Sequence, residues 1–94
     1  MKTGIIIPCH NEEKRLDVTA FLNFIQKKSN IHLCFINDGS DDNTINILKD
    51  IQSNNPLQTS VIDVKKNSGK AAAVRTGAKY LNSREDIKCI EILL

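Results

Sequence analysis

Three polar clusters of this chain hold side chains that could bind a small ligand. They are Pro8-Cys9-His10-Asn11-Glu12-Glu13, Asn37-Asp38-Gly39-Ser40-Asp41-Asp42 and Lys65-Lys66-Asn67-Ser68-Gly69-Lys70. A carboxylate such as Asp38 accepts hydrogen bonds from nucleobase N–H groups or from ribose hydroxyls. Backbone N–H groups at the start of a helix, together with a lysine such as Lys70, can bind an anion. The clusters therefore contain groups suited to a base, a ribose and a phosphate.

The same residues also have structural interpretations, which the sequence leaves open. Asn11 is a good N-cap for the helix predicted to follow it, Ser40 or Asp41 can cap a second helix, and Ser68 can cap a third. Asp41 and Asp42 suit the positive end of a helix dipole. For these two aspartates the structural interpretation is favoured.

Several standard ligand motifs are absent from the clusters. A calcium-binding EF-hand loop starting at Asp38 would need Gly and Glu where the chain has Asn43 and Lys49. A Walker loop would need Ser or Thr after Lys70, where Ala71 stands, and the GxGxxG pattern does not occur. We therefore expect neither an EF-hand nor these two nucleotide motifs.

The composition indicates one small globular domain. The 94 residues are 40% hydrophobic, carry a net charge of +2 from 13 basic and 11 acidic residues, and include 4% aromatic residues. The basic residues form no stripe, so nucleic-acid binding is not indicated. The apolar runs are too short to span a membrane, and the N-terminal run is too short for a signal peptide.

The three cysteines, Cys9, Cys34 and Cys89, are far apart and form no CxxC pair, so a zinc site is not expected. Cys34 and Cys89 lie within apolar runs, and we expect both to be buried, reduced thiols. Such cysteines are typical of a reducing compartment. The sequence therefore indicates a protein that is cytoplasmic or faces the cytoplasm.

Alternating strands and helices must position the clusters. Apolar patterns predict strands at 3–8, 31–36, 60–64 and 87–94, and helices at about 12–28, 44–53 and 69–81. Short connections predict right-handed crossovers in a parallel sheet, which places all three clusters at one sheet edge, where α/β proteins bind ligands. Because the chain ends inside an apolar run, we expect it to be the N-terminal part of a larger domain.

Together the clusters resemble the N-terminal, nucleotide-binding half of family 2 glycosyltransferases with the GT-A fold. That family carries the motifs IPxYNE, VDDGSxDxT and NxGKxxAxxxG, each at the end of a strand or the start of a helix. The matching segments here are residues 7–12, 36–44 and 67–77, and together with their elements they cover nearly the whole chain. His10 stands where Tyr is commoner, and Asn37 replaces the first Asp of the second motif.

The resemblance implies an α/β fold, a parallel-sheet, Rossmann-like GT-A half domain in the order β-α-β-α-β-α-β. Residues 1–94 would be its nucleotide-sugar-binding part, truncated before the family's DxD motif. The positions that match nucleotide-binding residues are Pro8, His10, Glu12, Ile36, Asp38, Lys70 and Arg75. The supporting positions are Asn11, Gly39, Asn67, Gly69 and Gly77. No catalytic residue and no metal ligand falls within the chain.

The resemblance further implies a hexosyltransferase of cell-wall or polysaccharide biosynthesis, which moves a sugar from a nucleoside diphosphate donor to an acceptor hydroxyl. The alternative is a non-catalytic nucleotide-binding remnant or regulatory module. The whole enzyme would use Mg²⁺ or Mn²⁺, and only regions outside this chain would associate with a membrane. The chain alone should be inactive, and its exposed sheet edge favours a homodimer. A receiver-like domain is disfavoured, because residues 64–66 lack the required aspartate.

Overall fold

Four strands alternate with three helices in the computed structural model, which describes residues 1–93. The elements are β1 Lys2–Cys9, α1 Val18–Lys27, β2 Ile31–Asp38, α2 Thr44–Asn54, β3 Thr59–Val64, α3 Lys70–Asn82 and β4 Ile87–Ile92. The predicted α/β class and the predicted order of elements are therefore confirmed.

The strands form one parallel sheet in the order β3-β2-β1-β4. The chain moves outward from β1 to β2 and β3, then returns across the sheet to place β4 on the other side of β1. The side chains of α1 and α2 pack on one face of the sheet, and those of α3 pack on the other. The strand order thus reverses at β1, and such a reversal is where open α/β sheets bind ligands.

Alternate residues of the central strands fill two apolar cores. The core under α1 and α2 contains Ile7, Cys9, Ile25, Leu33, Phe35, Leu48 and Ile51. The core under α3 contains Ile6, Cys34, Ile36, Ala73 and Leu81. Gly77 lets α3 approach the sheet closely, because a Cβ atom there would lie 2.9 Å from Cγ2 of Ile6.

Helix α1 begins later than predicted. It starts at Val18 rather than near residue 12, and its N-cap is Asp17, whose carboxylate accepts the N–H of Ala20 at 3.0 Å, rather than Asn11. Asn11 has φ 51°, in the left-handed region, and so turns the chain away from a helical path. The N–H of Glu12 donates to the Thr44 hydroxyl instead.

The other two predicted caps are also wrong. The N-cap of α2 is Asn43 rather than Ser40 or Asp41, and the N-cap of α3 is Gly69 rather than Ser68. Contacts between the clusters engage the hydroxyls of both serines, because Ser40 Oγ accepts the N–H of Asn11 and Ser68 Oγ donates to Asp38.

Strand β4 forms one edge of the sheet, and its far side faces solvent. Cys89 is exposed there rather than buried as predicted, because α1 does not extend over β4. The predicted end of this strand at residue 94 lies outside the described residues. An apolar cavity of about 530 Å³ lies between α1 and β4, with Phe21, Phe24 and Leu93 in its lining. In the described part of the chain, no helix is sufficiently long and apolar for a bilayer crossing.

Candidate functional site

A pocket of about 240 Å³ opens where β1 and β2 end and α3 begins. It is lined by Pro8, Cys9, His10, Glu12, Asp38, Asn67, Gly69 and Lys70. All three polar clusters therefore meet at the sheet edge that the parallel topology indicated. The larger cavity beside β4 contains none of the predicted site residues and is mainly apolar.

Asp38 is the most densely hydrogen-bonded side chain of the pocket, and it is only 3% exposed. Its Oδ1 accepts the N–H of Ser68 at 2.9 Å and the hydroxyl of Ser68 at 2.8 Å, and its Oδ2 accepts the N–H of Gly69 at 2.9 Å. Burial by itself raises the pKa of Asp38, but these donors outweigh it and hold the pKa below its usual range. Asp38 is therefore a carboxylate at neutral pH and can only accept hydrogen bonds.

The ring of His10 stands beside Asp38 in a defined orientation. Its Nδ1 lies 2.8 Å from the backbone carbonyl oxygen of Asp38, which only accepts, so Nδ1 carries the proton and donates. Its Nε2 then accepts from the Nδ2 of Asn11 at 3.3 Å. The imidazole forms an exposed wall of the pocket, where an aromatic ring was predicted to pack on a base.

The first two clusters bind each other through side-chain and backbone groups. The N–H of Asn11 donates to Ser40 Oγ at 3.0 Å, and its Oδ1 accepts the N–H of Asp41 at 2.8 Å. The N–H of Glu12 donates to Thr44 Oγ1 at 2.9 Å. These reciprocal bonds hold the end of β1 against the start of α2, so the pocket is preformed on this side.

Gly39 brings the second cluster against the third. It has φ 62°, and a Cβ atom there would lie 2.8 Å from Cα of Asn67, too close for any other residue without movement of the backbone. Its N–H donates to the carbonyl of Val64 at 2.8 Å. Glycine was predicted at this turn for its backbone freedom. The structure adds a second reason, because the backbone of residues 66–67 leaves no room for a Cβ atom at position 39.

Two predicted nucleotide contacts lie away from the pocket. Ile36 is fully buried under α3, near Gly77, and packs in the core. Arg75 is exposed one and a half turns into α3 and is not part of the lining. Glu12 does line the pocket, where Arg15 binds it at 3.0 Å, and Lys70 lines it from the start of α3.

Two residues of the site were missed by the sequence reasoning. Cys9 lines the pocket as a neutral thiol, because burial, with a smaller contribution from Glu12, raises its pKa to about 12. Ser68 holds Asp38, although its sequence position next to Gly69 suggested a helix cap. The contact between Ser68 and Asp38 joins residues 30 positions apart, which no local pattern reveals.

Asn37 has a partner that explains why it is not an aspartate. Its Nδ2 donates to Oδ1 of Asp63 at 2.9 Å, and its Oδ1 accepts the hydroxyl of Ser40. The two residues lie directly opposite each other on β2 and β3. An aspartate at position 37 would place one carboxylate against another.

The sequence as a whole matches the family model for glycosyl transferase family 2 over residues 4–90. The chain belongs to this family. The Rossmann-like GT-A arrangement implied by the three motifs is therefore confirmed.

Curated relatives of this family 2 chain are much longer than it is. It is 28% identical over 91 residues to a probable glycosyltransferase, YdaM, of Bacillus subtilis (strain 168), covering 95% of this chain and 22% of the relative. It is 30% identical over 86 residues to poly-beta-1,6-N-acetyl-D-glucosamine synthase of Staphylococcus aureus (strain COL), covering 92% of this chain and 20% of the relative. The chain thus spans about a fifth of the length of either protein.

Solved structures share the fold of this family 2 chain. S. aureus TarS is 26% identical with a TM-score of 0.72, covering 99% of this chain and 16% of TarS. The mannosyltransferase PcManGT of Pyrobaculum calidifontis, in complex with GDP-Man and Mn²⁺, is 19% identical with a TM-score of 0.69. That match covers 84% of this chain and 24% of PcManGT, and at this identity it shows the fold alone.

Proposed function

We propose that this chain forms the nucleotide-sugar-binding part of a glycosyltransferase that moves a hexose from a nucleoside diphosphate donor to an acceptor hydroxyl. The observation that carries the proposal is the preformed pocket in which an ionised Asp38 lies beside His10 and Lys70. TarS has also been solved in complex with UDP-GlcNAc, and PcManGT with GDP-Man, which supports a nucleotide sugar as the ligand class.

Each part of the pocket suits one part of such a ligand. Asp38 accepts a hydrogen bond from the base or the ribose, and the ring of His10 packs against the base. Lys70 and the backbone N–H groups of the first turn of α3 attract the diphosphate. These groups bind and orient the donor, and none of them is placed as a general base, so we propose that the chain alone does not transfer sugar.

A divalent metal, Mg²⁺ or Mn²⁺, belongs to the proposal for the whole enzyme. Such an ion neutralises the leaving diphosphate when it is bound. Residues 1–93 contain no group of three or more His, Cys, Asp or Glu side chains that could hold it, so these residues do not fit a metal site. We therefore assign its ligands, and any membrane association, to regions other than the described residues.

The cellular role is proposed from relatives and from the cysteines. A poly-beta-1,6-N-acetyl-D-glucosamine synthase among the relatives supports cell-wall or polysaccharide biosynthesis. The thiols of Cys9, Cys34 and Cys89 are all free, and the exposed one is compatible with a reducing environment. We propose that the protein works in the cytoplasm or at the cytoplasmic face of a membrane.

Calorimetric titration with UDP and GDP tests the proposal. We expect one of them to bind the wild-type chain and Asp38→Ala to weaken that binding more than tenfold, roughly the effect of a lost hydrogen bond to a charged group. Thermal unfolding of Asp38→Ala checks that the variant is folded, and Asp50→Ala removes an exposed aspartate on α2 as a matched control.

The possible outcomes distinguish a wrong role for Asp38 from a wrong proposal of nucleotide binding. Unchanged affinity in Asp38→Ala would contradict the role of this residue, and no binding of either nucleotide by the wild type would contradict the function. Nucleotide binding without sugar transfer, in a protein that carries this chain within a complete GT-A domain, would support the non-catalytic alternative.

A further inference from the structure

The two oxygens of the Asp38 carboxylate are occupied unequally. Oδ1 accepts both the N–H of Ser68 at 2.9 Å and its hydroxyl at 2.8 Å, so both lone pairs in its plane are engaged. Oδ2 accepts one good hydrogen bond, from the N–H of Gly69 at 2.9 Å, and a long contact from Asn67 Nδ2 at 3.4 Å. One lone pair of Oδ2 is therefore only weakly engaged.

The weak contact comes from the side of the pocket. Asn67 lines the pocket, whereas Ser68 is not part of the lining. A donor that enters the pocket can replace the Asn67 amide on Oδ2, because Asn67 Nδ2 still has the backbone carbonyl of Asp38 as a partner at 3.1 Å. A donor directed at Oδ1 would have to displace two shorter hydrogen bonds.

We propose that Ser68 is a positioning residue that fixes the Asp38 carboxylate, so that Oδ2 alone accepts the hydrogen bond from a bound nucleotide. The torsion about the terminal bond of an aspartate is broadly distributed, so without the Ser68 hydroxyl only the backbone N–H groups of Ser68 and Gly69 would hold the plane of the carboxylate. The Ser68 hydroxyl adds a second donor on Oδ1 and restricts this torsion further. The inference rests on the proposed function, and it gives Ser68 no contact with the ligand.

The fixed Oδ2 selects ligands by hydrogen-bond donation. A carboxylate only accepts, so the ligand must offer an N–H or O–H group. The ring N–H of a uracil or guanine base and a ribose hydroxyl both meet this requirement. UDP and CDP distinguish them at pH 7, because N3 of neutral cytosine carries no proton while the ribose is the same.

The test is calorimetric titration of UDP and CDP between pH 3.5 and pH 7 into four proteins. These are the wild type, Ser68→Ala, Ser68→Thr, which keeps the hydroxyl, and Ser29→Ala, which removes an exposed serine in the turn before β2. We expect Ser68→Ala to weaken UDP about tenfold, and Ser68→Thr and Ser29→Ala to stay near the wild type. Weaker CDP binding at pH 7 identifies the ring N–H as the donor, and equal binding shows that the contact does not require it.

The pH profile separates positioning from a general loss of structure. Removal of a donor to the charged carboxylate raises the pKa of Asp38, so the loss of UDP affinity at acid pH should begin at a higher pH in Ser68→Ala. The ratio of variant to wild-type affinity cancels the ionisation of UDP itself. If the wild type binds UDP and Ser68→Ala matches it in both affinity and pH profile, the inference is overturned while the proposed function stands.

A ligand-free measurement decides the case in which no nucleotide binds. The carboxyl carbon of Asp38 can be titrated by NMR in the wild type and in Ser68→Ala. We expect the midpoint of this titration to lie at a higher pH in the variant. An unchanged midpoint would show that the Ser68 hydroxyl does not stabilise the Asp38 carboxylate. Absence of UDP and GDP binding by the wild type would overturn the proposed function and, with it, the role of Oδ2.

Discussion

Asn37 joins two strands and a turn through its side-chain amide. It is 3% exposed, donates to Asp63 and accepts from Ser40, so both halves of the amide are used. Asn37 stands where the family motif has its first aspartate. Its side chain binds Asp63 on β3 rather than a group in the pocket. The pocket keeps Asp38, and the asparagine at position 37 contributes to the sheet instead.

We expect Asn37→Asp to destabilise the fold by about 1–3 kcal/mol, because it removes the donor to Asp63 and sets two carboxylates side by side. Urea unfolding measures the change. Asp63→Asn in the Asn37→Asp background restores an amide–carboxylate pair and should recover most of the loss. Equal losses in the single and the double variant would show that the pair is not coupled.

His32 makes the stability depend on pH. It is 2% exposed, and burial, followed by the charges of Arg84 and Lys2, lowers its pKa to about 4. Its Nε2 lies 2.7 Å from Ser60 Oγ and 2.8 Å from Arg84 Nη1, so it accepts hydrogen bonds as a neutral ring. Among its charged neighbours only Asp86 favours the protonated form.

The sign of the pH effect follows from proton binding. Between pH 4 and 6.5 the unfolded chain binds a proton at His32 that the folded chain does not, so stability should rise with pH across this window and then level off. We expect a gain of up to about 3 kcal/mol from this residue. Urea unfolding at pH 4.5 and 6.5 should show a smaller difference for His32→Gln than for the wild type, and an equal difference would rule out His32 as the source.

The elements of this fold differ in how far sequence predicts them. The strands and the cores of the helices could be predicted, because their apolar periodicity is local and matches the face that each element buries. The start of α1 could not, since the N–H of Glu12 is taken by Thr44, 32 residues further along the chain. The same holds for Ser68, which bonds to Asp38 rather than to its own helix. Residues of the site were predictable by type, and their mutual contacts were not.

Substitution of Gly39 tests whether its turn must contact the turn at residues 66–67 for the pocket to form. We expect Gly39→Ala to lose about 1–3 kcal/mol of stability and to weaken nucleotide binding, because its Cβ would push Asn67 and the start of α3 away. Gly69→Ala controls for backbone strain in the stability measurement only, because Gly69 itself lines the pocket. Gly69 also has a positive φ, 93°, but a Cβ there meets no atom of residues 1–93 within 4 Å.

Thermal unfolding and UDP titration of both variants measure the two effects. Backbone strain should lower the stability of both, whereas the steric push should add a loss only in Gly39→Ala. If Gly39→Ala keeps the wild-type stability and UDP affinity, the contact between the turns contributes nothing of its own.

At the scale of the whole molecule, the sheet has two edge strands, β3 and β4. Apolar side chains are exposed at the end of β4, where Ile92 is 50% exposed and the following residue, Leu93, is 52% exposed. The cavity between α1 and β4 extends this apolar surface. Unpaired edges with apolar neighbours favour association with another strand.

We propose that two copies of the chain pair through β4, and expect sedimentation velocity to show a dimer whose share grows with concentration. Ile92→Lys places a charge on the edge and should shift the chain toward monomer. Leu57→Lys changes an 82% exposed residue near β3, at the other side of the sheet, and should leave the dimer intact. A monomer at all concentrations, or equal effects of both substitutions, would count against pairing through β4.

The strand order also sets the sequence of assembly during synthesis. Every residue that lines the pocket lies between Pro8 and Lys70, and α3, which packs behind it, ends at Asn82. β4 follows and adds to the free side of β1. A nascent chain that has cleared the ribosome as far as α3 therefore already contains every residue that lines the pocket. Under the proposed function, the donor site is complete in sequence before β4 is synthesised.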